Sequence, residues 1–148
     1  MEKERQKFST SRSWIVENRK EMERVAEFLL EQEKRIYLLS GELGAGKTFL
    51  VQQVAKKVGN WGEPVTSPTF SLQNVYSTTP PIYHYDLYQK GVEHFLELGL
   101  LEELEKPGFH FIEWGEALAP LLKQLGFKFG VIEIKVGAGE RREVKCLC

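Results

Sequence analysis

Ile36-Tyr37-Leu38-Leu39-Ser40-Gly41-Glu42-Leu43-Gly44-Ala45-Gly46-Lys47-Thr48-Phe49 is the stretch whose reading decides the fold. Ile36 to Leu39 is a short continuous apolar run, the mark of a central parallel strand covered on both faces. It leads directly into Gly41 to Thr48, which matches the phosphate-binding pattern G-x-x-x-x-G-K-[ST] at every specified position. A chance match in a chain of this size arises about once in a few hundred sequences. The flanking strand and helix, which the pattern does not impose, make coincidence rarer still. After the loop, Leu50, Val51, Val54, Ala55 and Val58 recur at helical spacing, predicting a helix from Lys47 to about Val58 that Gly59 and Gly62 close.

The chemistry of a triphosphate explains the spelling of the loop. Glycines let the backbone curl so that successive N–H groups point at phosphate oxygens, and the helix that follows adds its positive end. On this reading Gly41, Glu42, Leu43, Gly44, Ala45, Gly46, Lys47, Thr48 and the adjoining Phe49 bind the nucleotide. Lys47 neutralises the β and γ phosphates, and the Thr48 hydroxyl goes to Mg²⁺. The expected cofactors are ATP and Mg²⁺.

Working outward, Gly and Pro punctuate the chain at intervals that suit alternating strands and helices. Trp14 to Val16 reads as a strand, and Asn18 with Glu21 as a capping pair opening a helix whose apolar face is Met22, Val25, Ala26, Leu29 and Leu30. Phe70 to Tyr76 and Ile82 to Asp86 flank Thr78-Thr79-Pro80-Pro81 and read as a hairpin-like pair. Leu87 to Glu105 predicts one or two short helices, Phe109 to Trp114 an apolar strand, and Glu116 to Leu125 a further helix. Strands around Phe127 to Val136 and Arg142 to Leu147 complete the pattern. The class is α/β: a P-loop NTPase fold with a central, mostly parallel sheet, flanking helices and antiparallel additions.

At 148 residues and 42% hydrophobic, the chain predicts one compact domain over residues 1–148. Lys+Arg 20 against Asp+Glu 21, a net charge of -1, provides no overall field toward nucleic acid or anionic membrane. The polar Met1 to Ser13 segment and the lack of a long apolar span predict a cytoplasmic protein with no membrane contact. Cys146 and Cys148, one residue apart, are too close to close a useful loop, too few for a metal site, and agree with a reducing compartment.

A phosphate loop needs a second acid at the end of a neighbouring strand. Glu113, after Phe109 to Ile112, and Asp86, after Ile82 to Tyr85, are the candidates. Asp86 is the only aspartate in the chain, which speaks against a Ras-type GTPase, since that needs one Asp in its switch and another to grip guanine. A small-molecule kinase is an alternative, but its usual arginine clamp is missing: only Arg141 and Arg142 follow Lys47. A nucleotide-controlled adaptor without significant hydrolysis is the other. Thr66, Ser67 and Thr69 around Pro68 could reach back to the γ-phosphate as a switch-like segment, or simply form a turn.

The phosphate loop, Val65-Thr66-Ser67-Pro68-Thr69-Phe70, His84-Tyr85-Asp86-Leu87-Tyr88 and Ile112-Glu113-Trp114 occur in an order and spacing that resemble the TsaE (YjeE-like) family of bacteria, over roughly Ile15 to Val144. The resemblance implies a weak ATPase needed to make threonylcarbamoyladenosine (t6A) in tRNA, docking on a TsaB and TsaD pair and meeting tRNA only through that complex. It implies Lys47 and Thr48 as the phosphate and Mg²⁺ contacts, and Glu113 as the second Mg²⁺-side acid. It further implies Asp86 as an acid acting in hydrolysis, Thr69 as a member of the switch-like loop, and Trp114 beside the nucleotide. Family members usually follow D-L-Y with Arg where Gln89 stands here, so that cation must be dispensed with or come from another residue such as Lys90. By the same analogy, adenine neighbours are sought around Ser9 to Ser13 and at Arg141 or Arg142.

Overall fold

The computed structural model describes residues 11–59, 65–66, 68, 72–88 and 91–148. In chain order its elements are β1 (Ser11–Val16), α1 (Met22–Leu30), β2 (Ile36–Ser40), α2 (Lys47–Gly59), β3 (Gln73–Tyr76) and β4 (Ile82–Asp86). They continue with α3 (Gly91–Glu97), α4 (Leu100–Glu103), β5 (Phe109–Glu113), α5 (Ala119–Leu125), β6 (Phe129–Val136) and β7 (Arg142–Leu147). The strands form one seven-stranded sheet in the order β1-β7-β6-β2-β5-β4-β3. The inner strands β6, β2, β5 and β4 run parallel; β3 at one side and β7 at the other run antiparallel to them, and β1 pairs antiparallel with β7 at the edge. This is the mostly parallel sheet with antiparallel additions that the sequence predicts.

Strand alternation distributes the core. On β2, Tyr37 and Leu39 point to the face covered by α1 and α2, where they join Leu29, Leu50, Val54 and Phe111. Ile36 and Leu38 point to the opposite face, against Phe95, Leu118, Leu122 and Ile112. A strand buried on both faces must be apolar throughout, which is why β2 and β5 read as continuous runs rather than alternating ones. Register then sets the working edge. Leu39 pairs with Glu113 and Asp86 with Glu113, so the carboxyl ends of β2, β5 and β4 finish side by side. In open α/β sheets this is the edge where ligands bind.

The structure corrects the sequence reading in detail. Asn18 Oδ1 accepts from Glu21 N at 3.2 Å, but Glu21 Oε1 accepts from Glu17 N, at 2.8 Å, rather than from Asn18 N. A single 3-10 turn over Arg19–Glu21 follows, so α1 itself begins at Met22. β3 starts at Gln73, later than the expected Phe70, which lies outside the described residues; Leu72 with φ of 62° cannot carry an extended strand. Cys146 and Cys148 are bonded through their sulfurs, with Cα atoms 5.6 Å apart. Both side chains are buried and, two apart along an extended chain, point to one face, which short spacing alone did not suggest. Among the described residues no helix is long and apolar enough to cross a membrane.

One buried polar group makes stability depend on pH. His110 on β5 is 1% exposed; its Nε2 lies 2.9 Å from the Lys106 carbonyl and its Nδ1 2.8 Å from the Tyr85 hydroxyl. A carbonyl only accepts, so Nε2 carries the proton, and in the neutral ring Nδ1 accepts from Tyr85. Burial pushes the His110 pKa down, against smaller opposing effects of the Lys106 carbonyl and Glu103. The unfolded chain therefore takes up a proton near pH 6.5 that the folded chain refuses. Stability from this group is present above that pH and falls below it, by at most about 1.4 kcal/mol per pH unit. Asp86 works the other way, since burial raises its carboxyl pKa. Comparison with His110→Gln in urea melts at pH 7 and 5.5 isolates the histidine: the loss on acidification should shrink in the variant. An unchanged loss would refute the assignment.

Candidate functional site

The loop is shaped by what lies beneath it. Gly41 follows β2 with φ of 157°, and a Cβ there would stand 2.6 Å from the Ile134 carbonyl of β6, so only glycine lets the chain pass. Gly44, with φ of 80°, faces open space; there the backbone conformation, not crowding, demands glycine. Ala45 N donates to the Glu42 carbonyl at 3.0 Å, and Leu50 N to the Gly46 carbonyl at 2.9 Å, where α2 starts.

Two cations occupy carbonyls of the loop. Lys47 Nζ donates to the carbonyls of Gly41 and Glu42. Arg142 of β7 donates from Nε to the Ala45 carbonyl at 3.0 Å and from a terminal nitrogen to the Gly44 carbonyl at 3.3 Å. Drawing the negative ends of these peptide dipoles onto cations leaves a local field that favours an anion.

Lys47 is 4% exposed, and its amine sits 4.1 Å from the centroid of the Trp114 ring. Burial lowers its pKa, opposed by Glu113, Glu116, Asp86 and Glu42 in turn. Trp114 itself has φ of 60°, a left-handed conformation rare for a bulky residue. Its N–H donates to the Leu39 carbonyl at 2.9 Å, and its ring lies 4.8 Å from that of Tyr88. The turn after β5 thus swings the indole across the lysine.

Glu113, buried at the end of β5, accepts through Oε2 from the Thr48 hydroxyl at 2.6 Å and lies 2.6 Å from His84 Nε2. Asp86 stands beside it in register; its Oδ1 accepts from Tyr88 N at 2.9 Å. Burial raises the Asp86 pKa, the Tyr88 amide opposes this, and the neighbouring Glu113 adds to it. Two carboxyls at neighbouring strand ends, next to a threonine hydroxyl, are a donor set of hard oxygens suited to Mg²⁺.

A cavity of about 390 Å³ gathers Leu43, Gly44, Gly46, Lys47, Thr48, Phe49, Asp86, Glu113 and Trp114. A second, of about 280 Å³, shares Arg19, Gly44, Gly46 and Phe49 with it and continues past Val16, Met22, Ala45 and Arg142. Gly41 and Glu42 line a different depression with Ser40 and Glu133, and join the site through the carbonyls that Lys47 holds. Thr69, Ser67, Gln89 and Lys90 lie outside the described residues; Val65, just before the switch-like segment, lines the cavity that holds Lys47 and Glu113. Of Ser9 to Ser13, residues 11–13 are described. Ser11 to Ser13 pair with Leu147 to Lys145 of β7, at the far end of β1, and it is the other end of that strand, Val16 opposite Arg142, that lines the second cavity beside the loop. Sequence reasoning missed Arg19, whose guanidinium lies over the Phe49 ring, and gave no role to His84, although the latter stood in a quoted motif.

A model of the family described as "Threonylcarbamoyl adenosine biosynthesis protein TsaE" matches residues 16–144. The tRNA threonylcarbamoyladenosine biosynthesis protein TsaE of Rickettsia felis is 40% identical over 112 residues, which is 73% of this chain and 65% of that protein. The protein of the same name from Treponema pallidum is 36% identical over 116 residues, 78% of this chain and 83% of the relative. With the Rickettsia prowazekii relative the match spans 61% of that protein's length. The crystal structure of Bacillus subtilis YdiB superposes with a TM-score of 0.66 at 25% identity, covering 93% of this chain and 84% of that one.

Proposed function

The chain belongs to the TsaE family, and from that premise we propose that it is a one-domain subunit that binds and hydrolyses ATP with Mg²⁺ in support of t6A modification of tRNA. On this reading it acts with the TsaB and TsaD pair and meets tRNA only through that assembly. The observation that carries the proposal is the convergence, in one cavity, of the Lys47 amine and the Thr48–Glu113 contact of 2.6 Å. Bound Mg²⁺ would supply charge neutralisation across the β and γ phosphates.

The chain's own residues have these roles. The amides from Gly44 to Thr48 and the start of α2 cradle the phosphates. Lys47 exchanges the loop carbonyls for phosphate oxygens, and Trp114 across it shields that charge from water. Thr48 and Glu113 hold the metal. Asp86, whose carboxyl burial keeps from ionising easily, orients the attacking water. Thr69 completes the γ-phosphate side. ATP is preferred to GTP because the chain's single aspartate cannot also grip guanine.

The deciding experiment measures ATP turnover of the chain alone and with the TsaB–TsaD pair. Slow turnover alone that rises with the pair is the expected result. Nucleotide-dependent binding to the pair with no rise would replace the ATPase by an adaptor. Within the site, Asp86→Asn should keep ATP affinity within about twofold and cut turnover in the complex by about 10²-fold, as befits a residue that positions the attacking water. If affinity for Mg²⁺-ATP falls instead, Asp86 serves the metal and not the water.

A further inference from the structure

Glu113 is held from behind as well as from the phosphate loop. His84 on β4 is fully buried, and its Nε2 lies 2.6 Å from the same Oε2 that accepts from Thr48. A carboxylate only accepts, so Nε2 donates. The other ring nitrogen, Nδ1, lies 3.0 Å from the Tyr76 hydroxyl on β3, whose single proton goes either to that nitrogen or to the Thr66 carbonyl 3.2 Å away. The parallel register of β4 and β5 accounts for this: His84 pairs with Phe111, and Asp86 and Glu113 each lie two residues further along the same face. His84 does not line the cavity that holds Lys47, Thr48, Asp86 and Glu113. Fully buried, it meets the site through Glu113.

We propose that His84 is a positioning residue: seated against the Tyr76 hydroxyl, it orients the Glu113 carboxylate for the metal that accompanies ATP. A ring held on both nitrogens has one orientation, so the carboxylate that takes its hydrogen bond is fixed as well. Groups in this position around metal ligands set affinity without touching the metal. The inference rests on the ATP and Mg²⁺ reading above.

The test titrates Mg²⁺ into the full chain with a fluorescent ATP analogue, following nucleotide binding, with parallel measurements in EDTA and of Tm. His84→Leu should raise the half-saturating Mg²⁺ concentration by about 10- to 100-fold and leave binding in EDTA unchanged. His84→Gln, whose amide can donate to Glu113, should restore most of the Mg²⁺ response. Tyr76→Phe keeps the ring but loses the hydroxyl, and should shift the Mg²⁺ requirement in the same direction by a smaller factor. A merely structural role would lower binding in EDTA and Tm together and would not be rescued by glutamine. A wild-type Mg²⁺ requirement in His84→Leu, or glutamine as poor as leucine, overturns the proposal. Should the leucine variant fail to fold, a wild-type requirement in Tyr76→Phe overturns it equally. If the unaltered chain binds the analogue with no Mg²⁺ dependence, the ATP and Mg²⁺ reading itself fails, and the positioning role with it.

Discussion

Replacing Lys47 with methionine is expected to weaken ATP binding by at least about a hundredfold while leaving Tm unchanged or slightly raised. The two halves have separate physical causes. The ammonium is the one side-chain cation that the phosphate loop carries within its own motif, and a donor aimed at phosphate oxygens in a partly dry site is worth about 3 kcal/mol or more. For folding, the same charge is a burden. Burial lowers the Lys47 pKa in spite of four nearby acids. With the folded pKa depressed, the charged amine opposes folding, and its cost fades as pH rises through that folded value. Methionine fills similar volume beside Trp114 without that cost; what it loses is the bonds to the Gly41 and Glu42 carbonyls, a smaller effect at a loop edge open to water. Calorimetric titration with ATP and a thermal melt decide the matter. A methionine variant that binds ATP like the wild type would sink the assignment of the loop.

Glu113 is expected to behave in the opposite way, with function and fold coupled. Glu113→Ala removes the acceptor at 2.6 Å from both Thr48 and His84 and should lower stability by about 1–3 kcal/mol, the usual cost of stranding buried donors. Glu113→Gln retains shape and one acceptor oxygen but not the charge. It should fold nearly as well as the wild type yet lose about 10²-fold or more in ATP turnover with the TsaB–TsaD pair, because the metal-side charge is gone. Turnover and urea melts on both variants test this. Normal hydrolysis by the glutamine variant would remove Glu113 from the metal-side role, whatever the melts report.

The elements that carry the fold were legible because their signals are local. β2 and β5 are continuous apolar runs, α2 has an apolar face at helical spacing, and the hairpin of β3 and β4 brackets a Pro-Pro turn. Where the reading slipped, side-chain contacts and backbone conformations that the pattern does not spell out were responsible. The Glu21 carboxylate bonds to Glu17 N and delays α1 by a 3-10 turn. The left-handed Leu72 precedes β3, and its carbonyl accepts from Asp86 N of the adjacent strand at 3.2 Å. Cys146 and Cys148 meet because an extended strand turns alternate side chains to one side.

The chain by itself determined the loop from Gly41 to Thr48, its feeding strand and receiving helix, and membership of the TsaE family, since each is written in contiguous residues or in short motifs in series. Only the tertiary structure decided which side-chain atoms of these distant groups touch. Thr48 meets Glu113 across 65 residues, His84 meets Glu113 across 29, and Arg142 reaches the Ala45 carbonyl across 97. No local pattern encodes such meetings. They follow from sheet order and parallel register, which bring the ends of β2, β5 and β4 together and set β7 close enough for Arg142 to brace the loop.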